Sequence, residues 1–427
     1  MNRLKKRLRP IYHFLWAWAG ARLHKKPSQK IFVIGVTGTK GKTTTLELLN
    51  AILEAAHKKT ALSSSLRTKI GDESRKNPTG NSMPGHGRLQ RFLKQAVRAR
   101  CSYALIEVTS EGVAQHRHRF IDWNVGAITN LSPEHIESHG SFENYRAAKL
   151  EFLKYVIKKG GKVFINRADE NAPFFIEELG AMRGKTLRGG RTFTFAREDE
   201  ALSKYFPSMN PLRAASDSAT APKFLLSEFN EENIAAAVAI AKELGVSDTA
   251  IGDALENFSG VPGRMEFVTK GPYTAIVDYA HTPVSLEAAY KAARPDPTHE
   301  YPDPHLICVL GAAGGGRDKW KRPEMGRIAA EYCDEIILTN EDPFDEDPAA
   351  IIKEVRAGIL GGDPELANVH EILDRRQAIR KAVELAAPGD VIVSTGKGSE
   401  DWIRGARGKK VPWNERKVFE EVLLEKP

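Results

Sequence analysis

Lys42 and Thr43 are the first residues of this sequence whose types and setting suggest chemistry. They lie in "GVTGTKGKTTT" (35–45), just after the apolar run Ile31-Phe32-Val33-Ile34. A strand, a glycine loop and a helix in that order gather backbone N–H groups and a helix N-terminus around an anion. A lysine there can reach the outer phosphates of a nucleotide, and the neighbouring hydroxyl can bind Mg2+. The spacing departs from the usual G-x-x-x-x-G-K-T pattern, which would put a glycine where Val36 stands. The glycines are instead at Gly35 and Gly38. An ordinary strand-to-helix turn is the plain alternative, and Gly-Lys-Thr at this junction weighs against it.

Further polar residues follow apolar strands. Glu107 ends the run "ALIE" (104–107). Ligands gather at the carboxyl ends of strands in doubly wound sheets, so a carboxylate there suits a metal beside phosphates. Asn130 and His135 follow the strand around 125–129, and Lys149 lies in the helical stretch beyond. Taken singly each has a bland reading: a solvated strand-end acid, a polar loop residue, a lysine on a wet helix face.

The elements that must position these residues alternate. Strands are expected at 31–36, 60–63, 103–108, 125–129 and 161–165, with helices at 42–57, 87–99, 141–158 and 230–244. That alternation argues for a mainly parallel sheet covered by helices. The segment near 200–222 is rich in Ser, Pro and Ala and reads as a loop or excursion. "FSGVPGRMEF" (258–267) fits a hinge. Alternation then restarts, with strands at 274–278, 305–310, 334–338 and 390–394. Helices are expected at 321–331, 347–357, 375–386 and 415–424. The fold class is α/β: a doubly wound sheet resembling P-loop ATPases, then a smaller Rossmann-like domain. The expected divisions are an N-terminal segment 1–30, a central domain 31–260 and a C-terminal domain 261–427.

Bulk composition agrees with a globular protein. The chain has 427 residues, 41% hydrophobic and 28% charged, enough for more than one domain with ample core. The net charge of +8 suits phosphorylated substrates or anionic surfaces. Much of the excess lies in the first thirty residues, so nucleic acid is not called for. Cys101, Cys308 and Cys333 show no metal spacing and no disulfide pattern, which points to a reducing cytosol. The uncharged stretch Pro10 to Ala21 is too short to span a bilayer and lacks a cleavage site. Phe14, Trp16 and Trp18 lie between basic clusters that include Arg3, Lys5, Lys6, Arg7 and Arg9. Residues 1–26 therefore read two ways: a helix packed on the protein's own core, or one lying in a membrane interface at the cytoplasmic face.

Together these pieces resemble the Mur ligase family, and most closely its MurE type, the UDP-N-acetylmuramoyl-tripeptide synthetases. The phosphate loop Thr37-Gly38-Thr39-Lys40-Gly41-Lys42-Thr43 matches the family's own and accounts for the displaced glycine. "FNEENIAAA" (229–237), "GVPGRMEF" (260–267), "VDYAHTP" (277–283), "GAAGGGRDKWKRP" (311–323), "NEDPFDEDP" (340–348) and "GKGSEDW" (396–402) follow in order. The resemblance implies an ATP-driven amide ligase working through an acyl phosphate. It assigns residues 37–43 and Thr44 to the phosphates, and Thr43, Glu107 and His135 to Mg2+. Lys149 falls on a lysine that the family carbamylates (N6-carboxylates) into a metal ligand. Asn230 and Asn233 match an adenine-side pair, Arg264 a hinge arginine near the phosphates, and Asp278 a residue reaching the ribose, with His281 beside it. Arg317, Asp342, Phe344 and Glu400 fall on the amino-acid side.

The departures are as informative. Glu111 stands where the family has the histidine of Ser-Ser-His-Gly. The diaminopimelate signature Asp-Asn-Pro-Arg is here Glu341-Asp342-Pro343-Phe344. Phe344 cannot grip a distal carboxylate as an arginine would, so the expected amino acid is not meso-diaminopimelate. The family's UDP-sugar domain ahead of the phosphate loop is not expected in residues 1–30, so the acceptor is expected to be held by the other two domains, through "NPTGNSMPGHGRLQRF" (77–92), which resembles the family's substrate loop, and one without UDP to be tolerated. The expected partners are thus a muropeptide-like acid and a free amino acid. The alternatives are a ligase for a lipid-linked muropeptide or a polyglutamate-like chain, and a nucleotide-binding module without ligase activity.

Overall fold

The computed structural model describes residues 2–85, 87–134, 136–182, 190–199, 205, 227–268, 273–316, 319–359 and 368–425. His135, Arg317 and nearly all of the 200–222 segment lie outside them. By contacts the chain divides into two units: Met1–Pro207 with Phe229–Phe258, and Ser208–Glu228 with Ser259–Pro427.

In the first unit the apolar run after Ile31 forms β1 (Phe32–Thr37), buried along nearly its whole length. β2 (Thr60–Ser63), β3 (Arg67–Ile70), β4 (Glu73–Lys76), β5 (Tyr103–Glu107), β6 (Val125–Ile128), β7 (Lys162–Asn166) and β8 (Arg191–Phe195) complete its sheet. The order is β4-β3-β2-β5-β1-β6-β7-β8. β1 pairs in parallel with β5 on one side and β6 on the other. It is therefore the central strand where the winding reverses, and its carboxyl end is where a ligand crevice opens. The β2-β3-β4 meander is antiparallel. Sequence reading did not anticipate it, because "RTKI" and "ESRK" carry little apolar alternation.

The helices of this unit follow their end signals. α1 (Asn2–Leu23) precedes the sheet and α2 (Lys42–Ala55) leaves the phosphate loop at Gly41. α3 (Arg88–Arg98) and the short α4 (Ser110–Ala114) and α5 (Ile136–His139) come next. α6 (Phe142–Lys158) begins at Ser141, whose hydroxyl accepts the Asn144 N–H as an N-cap. It buries Tyr145, Phe152, Leu153 and Val156, an apolar stripe at helical spacing. Gly35 is explained by this packing. A Cβ there would lie 2.6 Å from Phe152 Cζ and 2.7 Å from Trp123 Cζ3. α7 (Ala172–Gly180) precedes β8. The chain then returns to this unit with α8 (Glu228–Glu243) and α9 (Asp248–Glu256).

The second unit repeats the plan on a smaller scale. Its strands are β9 (Glu266–Phe267), β10 (Thr274–Val277), β11 (Leu306–Leu310), β12 (Glu335–Leu338), β13 (Val369–Glu371) and β14 (Val391–Ser394). The order β13-β12-β11-β14-β10-β9 is parallel except for β9. α10 (Pro283–Ala293), α11 (Lys321–Tyr332), α12 (Pro348–Ile359), α13 (Arg375–Leu385) and α14 (Glu415–Glu425) accompany it, and β15 (Trp402–Arg404) and β16 (Lys410–Pro412) form a separate hairpin. One sequence expectation is corrected here. Cys308 on β11 and Cys333 after α11 form a disulfide, with Cα atoms 6.0 Å apart. The fold brings together two cysteines whose spacing gave no sign of pairing.

Candidate active site

The phosphate loop is shaped by two left-handed glycines, Gly38 (φ 145°) and Gly41 (φ 81°). Neither position has room for a side chain. A Cβ on Gly38 would lie 1.9 Å from Thr129 Oγ1, and one on Gly41 2.1 Å from Asn233 Oδ1. Asn130, after β6, holds the loop by accepting the Lys40 N–H at 2.8 Å, and its carbonyl accepts the Thr39 N–H at 3.0 Å. Lys40 pairs with Glu134 at 3.1 Å. Lys42 Nζ donates to the Gly38 and Thr39 carbonyls at 3.1 and 2.9 Å. Thr37 and Thr44 are buried in the strand and helix on either side.

Glu107 is buried, not a solvated strand end. Its Oε2 accepts Thr43 Oγ1 at 3.0 Å and the Ser65 N–H at 2.9 Å, and its Oε1 accepts Ser82 Oγ at 3.0 Å. Thr43 and Glu107, 64 positions apart in the chain, thus meet directly. Lys149 corrects its bland reading too. It is 1% exposed, on the buried face of α6, with Nζ 2.7 Å from the Gly38 carbonyl and 4.6 Å from the Tyr145 ring centroid. Burial and the nearby Lys42 cation hold its pKa well below the ordinary lysine value. Asn230 and Asn233 of α8 are buried, and Asn233 accepts Thr45 Oγ1 at 3.2 Å.

A divalent cation such as Mg2+ needs several oxygen donors around one point. Among the described residues no group of three His, Cys, Asp or Glu side chains is placed to hold a metal ion by itself. The site offers the Glu107 carboxylate, the Thr43 hydroxyl and a buried lysine whose surroundings disfavour its proton, while the second buried carboxylate, Glu134, pairs with Lys40. These donors fit a metal if Lys149 supplies oxygen atoms as a carbamate, with His135 outside the described residues.

The second unit gathers charge at the carboxyl ends of its strands. Lys397 is fully buried, and its Nζ donates to Asp342 Oδ1 at 2.8 Å and Glu400 Oε2 at 2.6 Å. Glu341 is buried alongside, and desolvation pushes its carboxyl pKa up. Asp278 is not displayed freely. Its oxygens accept the Met265 and Ala280 N–H groups at 2.8 and 2.7 Å, and burial raises its pKa. The Arg264 guanidinium stacks 4.2 Å over the Tyr279 ring, and His281 Nδ1 lies 2.6 Å from the Tyr279 carbonyl. Phe344 has φ 52° and its N–H bonds to the Arg404 carbonyl at 3.0 Å. Arg404 itself lies against Asp342, with its N–H 2.9 Å from Oδ1 and its Nε 3.7 Å from Oδ2. Sequence reading missed Ser65, Ser82, Lys397 and Arg404 as site residues. Ser82 had a signal in its place inside the substrate-loop stretch 77–92, and Lys397 in its place inside "GKGSE".

A parallel sheet with this loop at its central strand defines a P-loop nucleotide-dependent enzyme. Comparison with known proteins narrows the class. Residues 36–241 match the Mur ligase middle domain and residues 263–398 the Mur ligase glutamate ligase domain. The chain is 35% identical over 408 residues to a UDP-N-acetylmuramoyl-L-alanyl-D-glutamate–2,6-diaminopimelate ligase of Syntrophomonas wolfei, covering 95% of this chain and 81% of that one. A solved structure of such a ligase superposes with a TM-score of 0.59 at 26% identity, over 93% of this chain and 79% of that one. Mycobacterium tuberculosis folylpolyglutamate synthase, at 17% identity and a TM-score of 0.65 over 90% of this chain and 92% of that one, shares the fold. The chain belongs to the Mur ligase family, and is an ATP-dependent acid–amino acid ligase.

Proposed function

We propose that this chain joins an amino acid to a carboxylate of a muramoyl-peptide acid. The acid's carboxylate oxygen attacks the γ-phosphorus of ATP and ADP leaves. The amino group then attacks the acyl carbon, inorganic phosphate leaves, and the ammonium proton is lost to solvent. Two anions must meet in line, so positive charge is the main requirement. Lys42 and the N-terminus of α2 behind Gly41 supply it, and Asn130 and Asn233 keep that loop in shape. Bound Mg2+ would be held by Thr43, Glu107 and Lys149 as its carbamate, and would neutralise phosphate charge.

The observation that carries this reading is Lys149. A lysine buried next to a phosphate loop, where desolvation and the Lys42 cation disfavour its proton, is suited to take up CO2. The resulting carbamate reverses its charge and supplies two oxygen ligands. The test is ADP release by the purified protein with ATP and Mg2+, against UDP-linked and UDP-free muropeptides and single amino acids, with product mass measured. Release that does not depend on both the acid and the amine would sink the reading. A native protein mass lacking one added CO2, together with no rescue of Lys149→Ala by short carboxylates, would remove the carbamate.

The amine donor we infer is 2,6-diaminopimelate. The relatives carry that substrate in their names. Phe344 alone argued against it, but Arg404 places a guanidinium beside Asp342 and can bind a second carboxylate. Residues 1–26 we assign to the surface of an anionic membrane. No helix among the described residues is long and apolar enough to cross one. Ile11, Tyr12, Leu15 and Trp18 are nonetheless exposed on α1, just after five basic residues. Flotation with anionic liposomes that survives deletion of residues 1–26 would count against this assignment.

A further inference from the structure

α1 has an inner face as well as an outer one. Its end is fixed to the first unit by a backbone approach: a Cβ on Gly20 would lie 2.8 Å from Gly87 Cα. Ala21 is buried, and the Phe14 ring meets the Phe120 ring edge-on at 5.2 Å. Between these two contacts α1 closes one side of a cavity. His13 and Trp16 line it from the helix, and Gln90, Arg117 and Arg119 from the unit's body.

The chemistry of the lining is one-sided. The described lining holds two guanidinium groups and a histidine and no carboxylate, though Arg119 Nη2 is paired with Glu151 at 2.8 Å, which leaves Arg117 as the guanidinium without an ion-pair partner there among the described residues. Gln90 is 4% exposed. Its Nε2 donates to the Phe120 carbonyl at 3.2 Å, while its Oε1 makes no hydrogen bond among the described residues. The Nε atoms of Arg117 and Arg119 likewise have no acceptor among the described residues. Buried polar atoms left in this condition are costly unless a ligand or water completes them.

The cavity is also wired to the reacting end of the site. Arg117 Nη1 donates to the Met83 carbonyl and Nη2 to Gln115 Oε1 at 2.5 Å. The residue before Met83 is Ser82, whose hydroxyl holds Glu107, and Glu107 holds Thr43 of the phosphate loop. One short loop therefore joins the cavity to the carboxylate assigned to Mg2+.

We propose that α1 forms a wall of the acceptor site, with Trp16 and His13 contacting the acid substrate and helping to decide which acid is taken. The cationic lining suits a substrate that carries carboxylates. The Trp16 indole offers an apolar plane for a sugar ring or peptide plane beside them. This rests on the muramoyl-peptide reading above, and the two can fail separately.

The experiment is steady-state kinetics on the full chain, with the muropeptide acid, ATP and amino acid varied in turn. Trp16→Ala should raise the acid's KM at least about tenfold and leave the KM for ATP and for the amino acid within about twofold. Trp16→Phe should recover most of the loss, and His13→Ala should give a smaller rise in the acid's KM alone. Hydrogen exchange supplies a second readout: the acid without ATP should protect the backbone of residues 10–23. An acid KM unmoved in both alanine variants, equal changes in all three KM values, or no protection of α1 would each overturn the proposal. If no muropeptide acid supports turnover by the wild-type chain, the functional reading falls first and takes this one with it.

Discussion

Lys149 shares its apolar stripe with Tyr145, Phe152, Leu153 and Val156, so its burial follows from helix geometry. Replacing it with methionine should leave the unfolding midpoint in urea unchanged or raised, because an apolar side chain suits that stripe. Turnover should fall by about a hundredfold or more. A Lys149→Met protein with normal ADP release would contradict the role given to it. Arg404 gives a second prediction at this scale. Arg404→Met should lower kcat/KM for diaminopimelate by roughly thirtyfold, about 2 kcal/mol, and leave lysine as donor unaffected. Equal losses with both donors would show that Arg404 merely supports the hairpin. Most loop residues were legible because strand, glycine loop and helix announce themselves within a dozen positions. Lys149 was half legible: its type and place were seen, but its burial was not counted against the stripe around it. Ser82 lay in a stretch that was singled out, but its hold on Glu107 was not seen; Ser65 and Arg404 were not legible, since they reach the site from a turn and a hairpin with no pattern of their own.

β1 and α6 are the elements whose fit sets the site. Gly35→Ala would drive a methyl group into Phe152 and Trp123, at a cost of about 1–3 kcal/mol in urea unfolding. Gly35→Ala combined with Phe152→Leu should recover part of it. The turn after α4 adds a pH dependence. His118 is fully buried, and desolvation, followed by the Arg119 and His116 charges, lowers its pKa to about 3. In the unfolded chain the same ring titrates near 6.5. Between those values the unfolded state binds a proton that the folded state refuses. Stability from this group is therefore full above about pH 6.5 and is lost at about 1.4 kcal/mol per unit as pH falls toward 3. The melting temperature of His118→Phe should consequently drop less steeply than wild type between pH 6 and 4. Parallel slopes would refute the assignment. Central strands and long helices were read close to their observed bounds, since each carries an apolar run or stripe. β3 and β4 were missed because the antiparallel end of the sheet, with β4 at its edge, carries little of either.

Across the whole molecule, the Cys308–Cys333 disulfide closes a separation of 25 residues within the second unit. Cys333→Ser should lower that unit's stability by about 3 kcal/mol, read as a shift in the denaturant midpoint under oxidising conditions. No shift would mean that the bond does not form in solution. The repeated strand–helix alternation made both sheets legible, whereas the pairing of Cys308 with Cys333 depended on folding that no local spacing records. The order of segments has one more consequence. The first unit is interrupted, for it takes back Phe229–Phe258 after the chain has begun the second. Asn233, from the returning piece, occupies the space a Gly41 side chain would need, and α9 packs along α2. On the ribosome, then, a chain that has emerged only as far as residue 207 has every phosphate-loop residue but lacks the brace behind it. Competence to hold a nucleotide should arrive late in synthesis, only once residue 258 has cleared the exit tunnel. A nascent chain stalled before that point should be blind to ATP.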